Sequence, residues 1–219
     1  FAVIALHRSQ LEGEASLPQK LPAADAVLVR TLGQVGDLSR RGRGAPLALG
    51  DLTLNAINAV AVGRLLAAGM QTVAPGADLP LGELPDLSRH VPPSRIEVPL
   101  VLRLPLFHTA HCLYAARIAG ARDRRRCGDV CRHRRLELLD REGLLLPVLA
   151  DARCRNTVFD GRVRDRSDHL PRLWRHGFRR FRVELLDEGP AEARERIAAV
   201  LRAVDDRRRE PANSPGEVH

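Results

Sequence analysis

Lysine, methionine, tryptophan and tyrosine each occur once in these 219 residues, as Lys20, Met70, Trp174 and Tyr114. Aromatics make up only 3% of the chain, so its core must be assembled from Leu, Val, Ala and Ile. No apolar run approaches the roughly 18 residues of a membrane span, which argues against a membrane-embedded protein and a membrane partner. No basic segment precedes an apolar stretch and a small-residue cleavage site, so no signal peptide is read and a cytoplasmic location is expected. The chain opens on Phe1 inside the apolar run FAVIAL, without an initiator methionine, which predicts a piece of a longer protein. HExxH, GxSxG and an aspartic-dyad signature are all missing, which excludes the commonest signatures of metal-, serine- and aspartate-based hydrolysis.

Arginine is what the chain has in excess. Lys and Arg total 35 against 27 Asp and Glu, a net charge of +8. Basic charge invites a nucleic-acid reading. An Arg-, Ala-, Gly- and Pro-rich, lysine-poor composition also follows from GC-rich coding. The runs Arg122–Arg126 and Arg132–Arg135 are more pointed, because they flank a cysteine pair. They read either as solvated loops or as phosphate contacts, with RNA the partner of interest.

A chain of this length supports one domain with a core, or most of an α/β barrel. Short apolar strands are predicted at residues 1–6, 26–30, 46–49 and 70–73. Residues 8–24 read as a loop or short helix, and 31–43 as a loop with a short helix. Leu54 to Gly69 is predicted helical, with Ile57, Val60, Ala61, Leu65 and Ala68 on one face and Gly69 as the cap. Residues 96–104 alternate as a strand, which Pro99 demotes to an edge or a bulge. This order predicts an α/β fold: a partial TIM-barrel-like βα repeat with a cysteine-bearing β-hairpin insertion. The hairpin is read from 136–140 and 144–150 around a three-residue loop, Arg141–Gly143. A helix over 167–176, a strand over 181–186 and a helix over 190–206 follow. The last helix should bury Ile197, Val200, Leu201 and Val204. The tail 207–219 is predicted disordered.

All four cysteines lie within this second half, as Cys112, Cys127, Cys131 and Cys154. Clustering in a chain read as cytosolic points to metal ligands or reactive thiols over disulfides. Gly128 relaxes the tight loop between Cys127 and Cys131. Four thiolates suit zinc or an iron–sulfur cluster. The paired CxxC knuckles of zinc ribbons are absent, which inclines the reading toward iron and sulfide. His108 and His111 can line a site or bond to the thiolates. A Cys–His nucleophile is disfavoured, since adjacent strand residues face opposite ways. Asp151, Arg155 and Asn156 flank Cys154 and can hold a substrate carboxylate or phosphate. Glu184 reads as a polar group at a strand end or as half of a buried ion pair. Trp174 and Phe178 read as core.

In order, PLFHTAHC, CGDVC, LLDREG, ADARCRNTVFDG and FRRFRVELLDE resemble successive motifs of the peptidase U32 family, the collagenase-like proteases. VRTLGQVGDL and GDLTLNAINA are similar to two further family segments, so the resemblance covers most of residues 26–205. It is nearest to the C-terminal part of the large multidomain members, including those tied to hydroxylation of ribosomal-RNA cytidine. Ala110 stands where the family usually has Glu, Val130 where it has Pro, Arg153 where it has Gly, and Asp160 where it has Asn. The resemblance implies a C-terminal U32-type domain over residues 1–206, with its cysteine region at 105–160. It implies a 4Fe–4S cluster on Cys112, Cys127, Cys131 and Cys154, with zinc as the alternative. It implies oxygen-independent hydroxylation of RNA pyrimidines, with prephenate as the hydroxyl source. The alternatives are a peptidase and a truncated, non-catalytic binding partner. His108, His111 and Asp151 are the catalytic candidates. Arg155, Asn156 and Glu184 are the substrate-binding candidates. A second U32 chain, or the missing N-terminal half, is an expected partner.

Overall fold

Short runs such as AVLV and LALG are apolar at nearly every position, the pattern of strands buried on both faces. The computed structural model describes residues 2–8, 15, 24–41, 46–122 and 124–209. The chain divides into two units, residues 1–101 with 165–219, and residues 102–164.

In the first unit, β1 (Val3–Ala5), β2 (Ala26–Val29), β3 (Leu47–Gly50) and β4 (Met70–Val73) form a parallel sheet in sequence order. Helices α1 (Leu32–Arg41), α2 (Ala59–Ala67) and α3 (Leu84–Leu87) fall between the later strands. The next strand, β5 (Val98–Leu102), starts beside a single parallel bridge from Val73 to Ile96. It is completely buried and pairs in parallel with β11 (Phe181–Val183). The fold is therefore mixed α/β with a parallel sheet, and the described residues close no barrel. Pro99 sits in the central strand of its sheet, between β10 (Arg164–Asp165) and β11, not at an edge. The ladder slips there, so that Val183 pairs with Val101 after Arg182 pairs with Pro99.

Two helical stripes differ from expectation. Asn55 takes a left-handed conformation (φ 52°), which ends a short turn at Leu52–Leu54 and stops a helix from starting there. The Asn58 side chain then caps α2 by accepting from the Ala61 N–H at 2.9 Å. This reset moves the buried stripe to Val62 and Leu65, and leaves Val60 74% exposed. Helix α6 (Pro190–Arg209) runs three residues past its expected end. It packs on α5 (Leu170–Arg175) and β11 along a narrow line, so Val200 is buried while Ile197 and Leu201 are exposed. Residues 207–209 are thus helical, and 210–219 lie outside the described residues, as does most of 8–24. Phe178 is fully buried, and Trp174 stacks on Phe181 with the Arg179 guanidinium over its ring at 3.9 Å. Both contacts suit a packing role for the indole.

The second unit is an antiparallel sheet in the order β6 (Pro105–Thr109), β9 (Asn156–Phe159), β8 (Leu145–Ala150), β7 (Leu136–Leu139). The expected hairpin is present as β7–β8, but as half of this sheet. Its loop has five residues, because the Asp140 carboxylate accepts the N–H groups of Glu142 and Leu144, both at 2.8 Å, and extends the turn. Tyr114, Val148 and Val158 form the core of this unit, with Cys112, Val130 and Cys131 packed against them.

Gly161 marks the tightest approach in this unit, since a Cβ there would lie 2.3 Å from the Leu145 carbonyl oxygen. Gly161→Ala should lower stability by about 1–3 kcal/mol, the usual cost of overpacking, measured by urea unfolding. An unchanged midpoint would mean that the loop yields freely.

Candidate functional site

Sheet topology brings the cysteines to one end of the second unit. Cys112 follows β6 and Cys154 precedes β9, and these strands pair with Thr109 opposite Asn156. Cys131 lies just before β7, whose first residue pairs near the end of β8. Cys127 ends α4 (Arg124–Cys127), a single helical turn. Gly128 (φ 61°) and Asp129 (φ 50°) then reverse the chain, so Gly128 has the expected role.

A cavity of about 210 Å³ is lined by Cys112, Cys127, Cys154, His111, Arg122 and Ala110, among others. Cys131 packs beside it and interacts electrostatically with Cys112 and Cys127. Burial pushes the Cys131 thiol above its ordinary range. Neighbouring Cys112 and Asp129 push it further. None of the four cysteines is in a disulfide. Among the described residues, no three His, Cys, Asp or Glu side chains stand close enough to hold one ion. Three thiols line one cavity, but ligation of one group by all four would require the side chains to draw inward.

Cys112 is anchored by two neighbouring groups. Its sulfur accepts the Ala115 N–H at 3.5 Å, at the head of a π-helical turn over Ala115–Ala119. The Asn156 amide, fully buried, accepts the Leu113 N–H at 2.6 Å and places its Nδ2 4.0 Å from the same sulfur. Cys154 is held in a left-handed conformation (φ 61°). The Asp151 carboxylate sets that turn by accepting the N–H groups of Arg153 and Arg155 at 2.8 and 2.9 Å.

These contacts sort the sequence-derived candidates. His111 lines the cavity with Cys112. The two residues do not face opposite ways there, because β6 ends at Thr109 and residues 110–111 bend beyond it. His108 instead pairs through Nδ1 with the Thr157 hydroxyl at 2.8 Å and is not among the cavity-lining residues. Asp151 and Asn156 act on the cysteine loops. Arg155 is only 3% exposed, so its side chain is not presented to solvent. Arg122, read only as part of a run, lines the cavity and is exposed, as are Arg125, Arg126, Arg132, Arg134 and Arg135.

Glu184 lies in the first unit, in a cluster that sequence reading otherwise missed. Asp51 is completely buried and ion-paired with Arg30 Nε at 2.9 Å and Arg182 Nη2 at 3.0 Å. Arg182 Nε is 3.1 Å from Glu97 and 3.3 Å from Glu184. The available signal was a charged residue directly after β2 and after β3, in AVLVR and LALGD. Among the described residues, no helix is long and apolar enough to cross a membrane.

Tyr114 is a natural reporter of the cysteines, being the sole tyrosine. Burial raises its phenol above 10.0, and Cys131 and Cys112 raise it further, against a hydrogen bond with the Leu136 backbone that lowers it. Ultraviolet titration should find it above 10.0 in the wild type and lower, though still raised, in a Cys112→Ser, Cys131→Ser double variant. The same midpoint in both proteins would mean that the thiols do not act on Tyr114.

Comparison with family models, curated proteins and solved structures finds no match to this chain.

Proposed function

We propose that the chain is a U32-type protein in which Cys112, Cys127, Cys131 and Cys154 hold an iron–sulfur cluster. The proposed activity is oxygen-independent hydroxylation of an RNA pyrimidine, alone or as part of a larger assembly, with prephenate as the hydroxyl source. The finer fold reading belongs to the same proposal: six parallel strands, β1–β5 and β11, as part of an incomplete TIM-like barrel. One observation carries the functional reading. Three of the four cysteines line a single cavity with an arginine, and the fourth packs beside it.

When bound, such a cluster supplies one-electron chemistry or a Lewis-acidic iron. The chain's own residues bind and orient. Asn156 and the Ala115 N–H fix Cys112. Asp151 fixes the turn of Cys154. Arg122, beside the thiols, offers a cation to an anionic substrate, and the exposed arginines around it suit a phosphate backbone. Ala110 also lines this cavity, so the carboxylate usual in the family is replaced there by a methyl group.

The second reading, a peptidase, draws on His111 and Cys112 lining the same cavity. The two readings part on the cysteines. Under the cluster reading, Cys127→Ser and Cys131→Ser each lose most of the iron bound on anaerobic reconstitution, and neither gains nor loses gelatin cleavage. Gelatin cleavage abolished by Cys112→Ser or His111→Ala but kept in Cys131→Ser would instead establish the peptidase. RNA affinity should fall linearly with salt on logarithmic axes, with a slope smaller by about 1 for each phosphate-contacting arginine removed. A salt-independent affinity would remove RNA as the partner.

A further inference from the structure

The charged cluster of the first unit occupies the carboxyl ends of its parallel strands. Arg8 follows β1, Arg30 directly follows β2, and Asp51 directly follows β3. Glu97 stands beside the end of β4, because its N–H bonds the Val73 carbonyl at 3.1 Å. Arg182 lies in β11, and Glu184 directly follows that strand, its N–H bonded to the Val101 carbonyl at 2.8 Å. Parallel α/β sheets bind ligands at this edge.

Asp51 is the floor of the cluster, with no exposure. Around it Arg30, Arg182, Glu97 and Glu184 keep 18%, 15%, 19% and 22% of their side chains exposed. Four charged groups thus reach solvent above a buried carboxylate. Arg182 is shared unevenly. Its Nη2 serves Asp51, but its buried Nε–H makes no hydrogen bond, although Glu97 and Glu184 both lie within ion-pair distance. One N–H cannot align with both carboxylates.

Three guanidiniums, Arg8, Arg30 and Arg182, face three carboxyls, Asp51, Glu97 and Glu184. With all six ionised the charges cancel. Burial favours the neutral form of Glu184 and outweighs the pull of Arg182. A neutral Glu184 leaves one uncompensated positive charge in a poorly solvated place, which is costly unless an anion arrives.

We propose that this cluster is a second ligand site, which takes up one small oxyanion, a carboxylate or a phosphate monoester monoanion, together with one proton on Glu184. The anion sits on Arg8, Arg30 and Arg182, and the proton frees Arg182 from one of its two competing carboxylates. No bond is made or broken, and charge is conserved as one anion and one proton enter together.

Calorimetry of the full chain with methanesulfonate tests this, because that monoanion keeps its charge at every working pH. Affinity should fall about tenfold per pH unit above the titration of Glu184, with one proton taken up per anion in buffers of different ionisation enthalpy. Glu184→Gln should bind with no pH dependence, and Arg8→Gln should bind at least tenfold more weakly. Carbon NMR of the unmutated protein, labelled in its glutamate carboxyls, should show Glu184 protonating as the anion is added, whether or not the variants fold. Acetate and methyl phosphate as competitors then separate the carboxylate from the phosphate source. Absence of binding, binding without proton uptake, or a pH dependence that survives in Glu184→Gln would overturn the proposal.

Discussion

The candidate site rests on one buried amide. Asn156 is completely enclosed at the start of β9, where it accepts the Leu113 N–H and faces the Cys112 sulfur. A buried amide must find partners or pay several kcal/mol in lost solvation, so the loop after β6 is drawn onto β9. That fixes Cys112 next to the turn that carries Cys154. The rest follows from antiparallel topology, because a loop leaving one strand meets the loop entering its neighbour. Cysteines separated by up to 42 positions in sequence, 154 minus 112, thereby share one end of a sheet.

The first unit uses a related constraint with charges in place of an amide. Asp51 has no exposure and is compensated by Arg30 and Arg182. Removing both arginines would strand a buried charge, which is far costlier than losing a surface pair. The arrangement ties the ends of β2 and β3 to β11, although Asp51 and Arg182 are 131 positions apart. The glutamates beyond it reach solvent, where a cluster at this edge can meet ligands.

Much of this was legible in the sequence for simple reasons. Continuous apolar runs marked the parallel strands, and two apolar runs around the short loop Arg141–Gly143 marked a hairpin. The cysteine spacing marked the region that folds into its own unit. Other features were hidden because they depend on local polar groups. Asn55 and Asn58 moved the start of α2 and turned its buried face, which periodicity alone could not report. The bend at 110–111 put His111 and Cys112 on one cavity, contrary to a strand-based reading. Asp151, Asn156 and Arg155 stood out beside Cys154 as substrate contacts, but two of them organise backbone turns and the third is buried. The partners of Glu184 come from strands far apart in the chain, so no local pattern announces them.

The central claim is that four thiols of the second unit act together as ligands for iron and sulfide. The most direct measurement is the iron, acid-labile sulfide and zinc content of the full chain purified without oxygen. The account predicts iron and sulfide in equal amounts, near four of each per chain for a 4Fe–4S cluster, and little zinc. A folded protein that carries one zinc and no sulfide, or that takes up neither metal on anaerobic reconstitution, would contradict it.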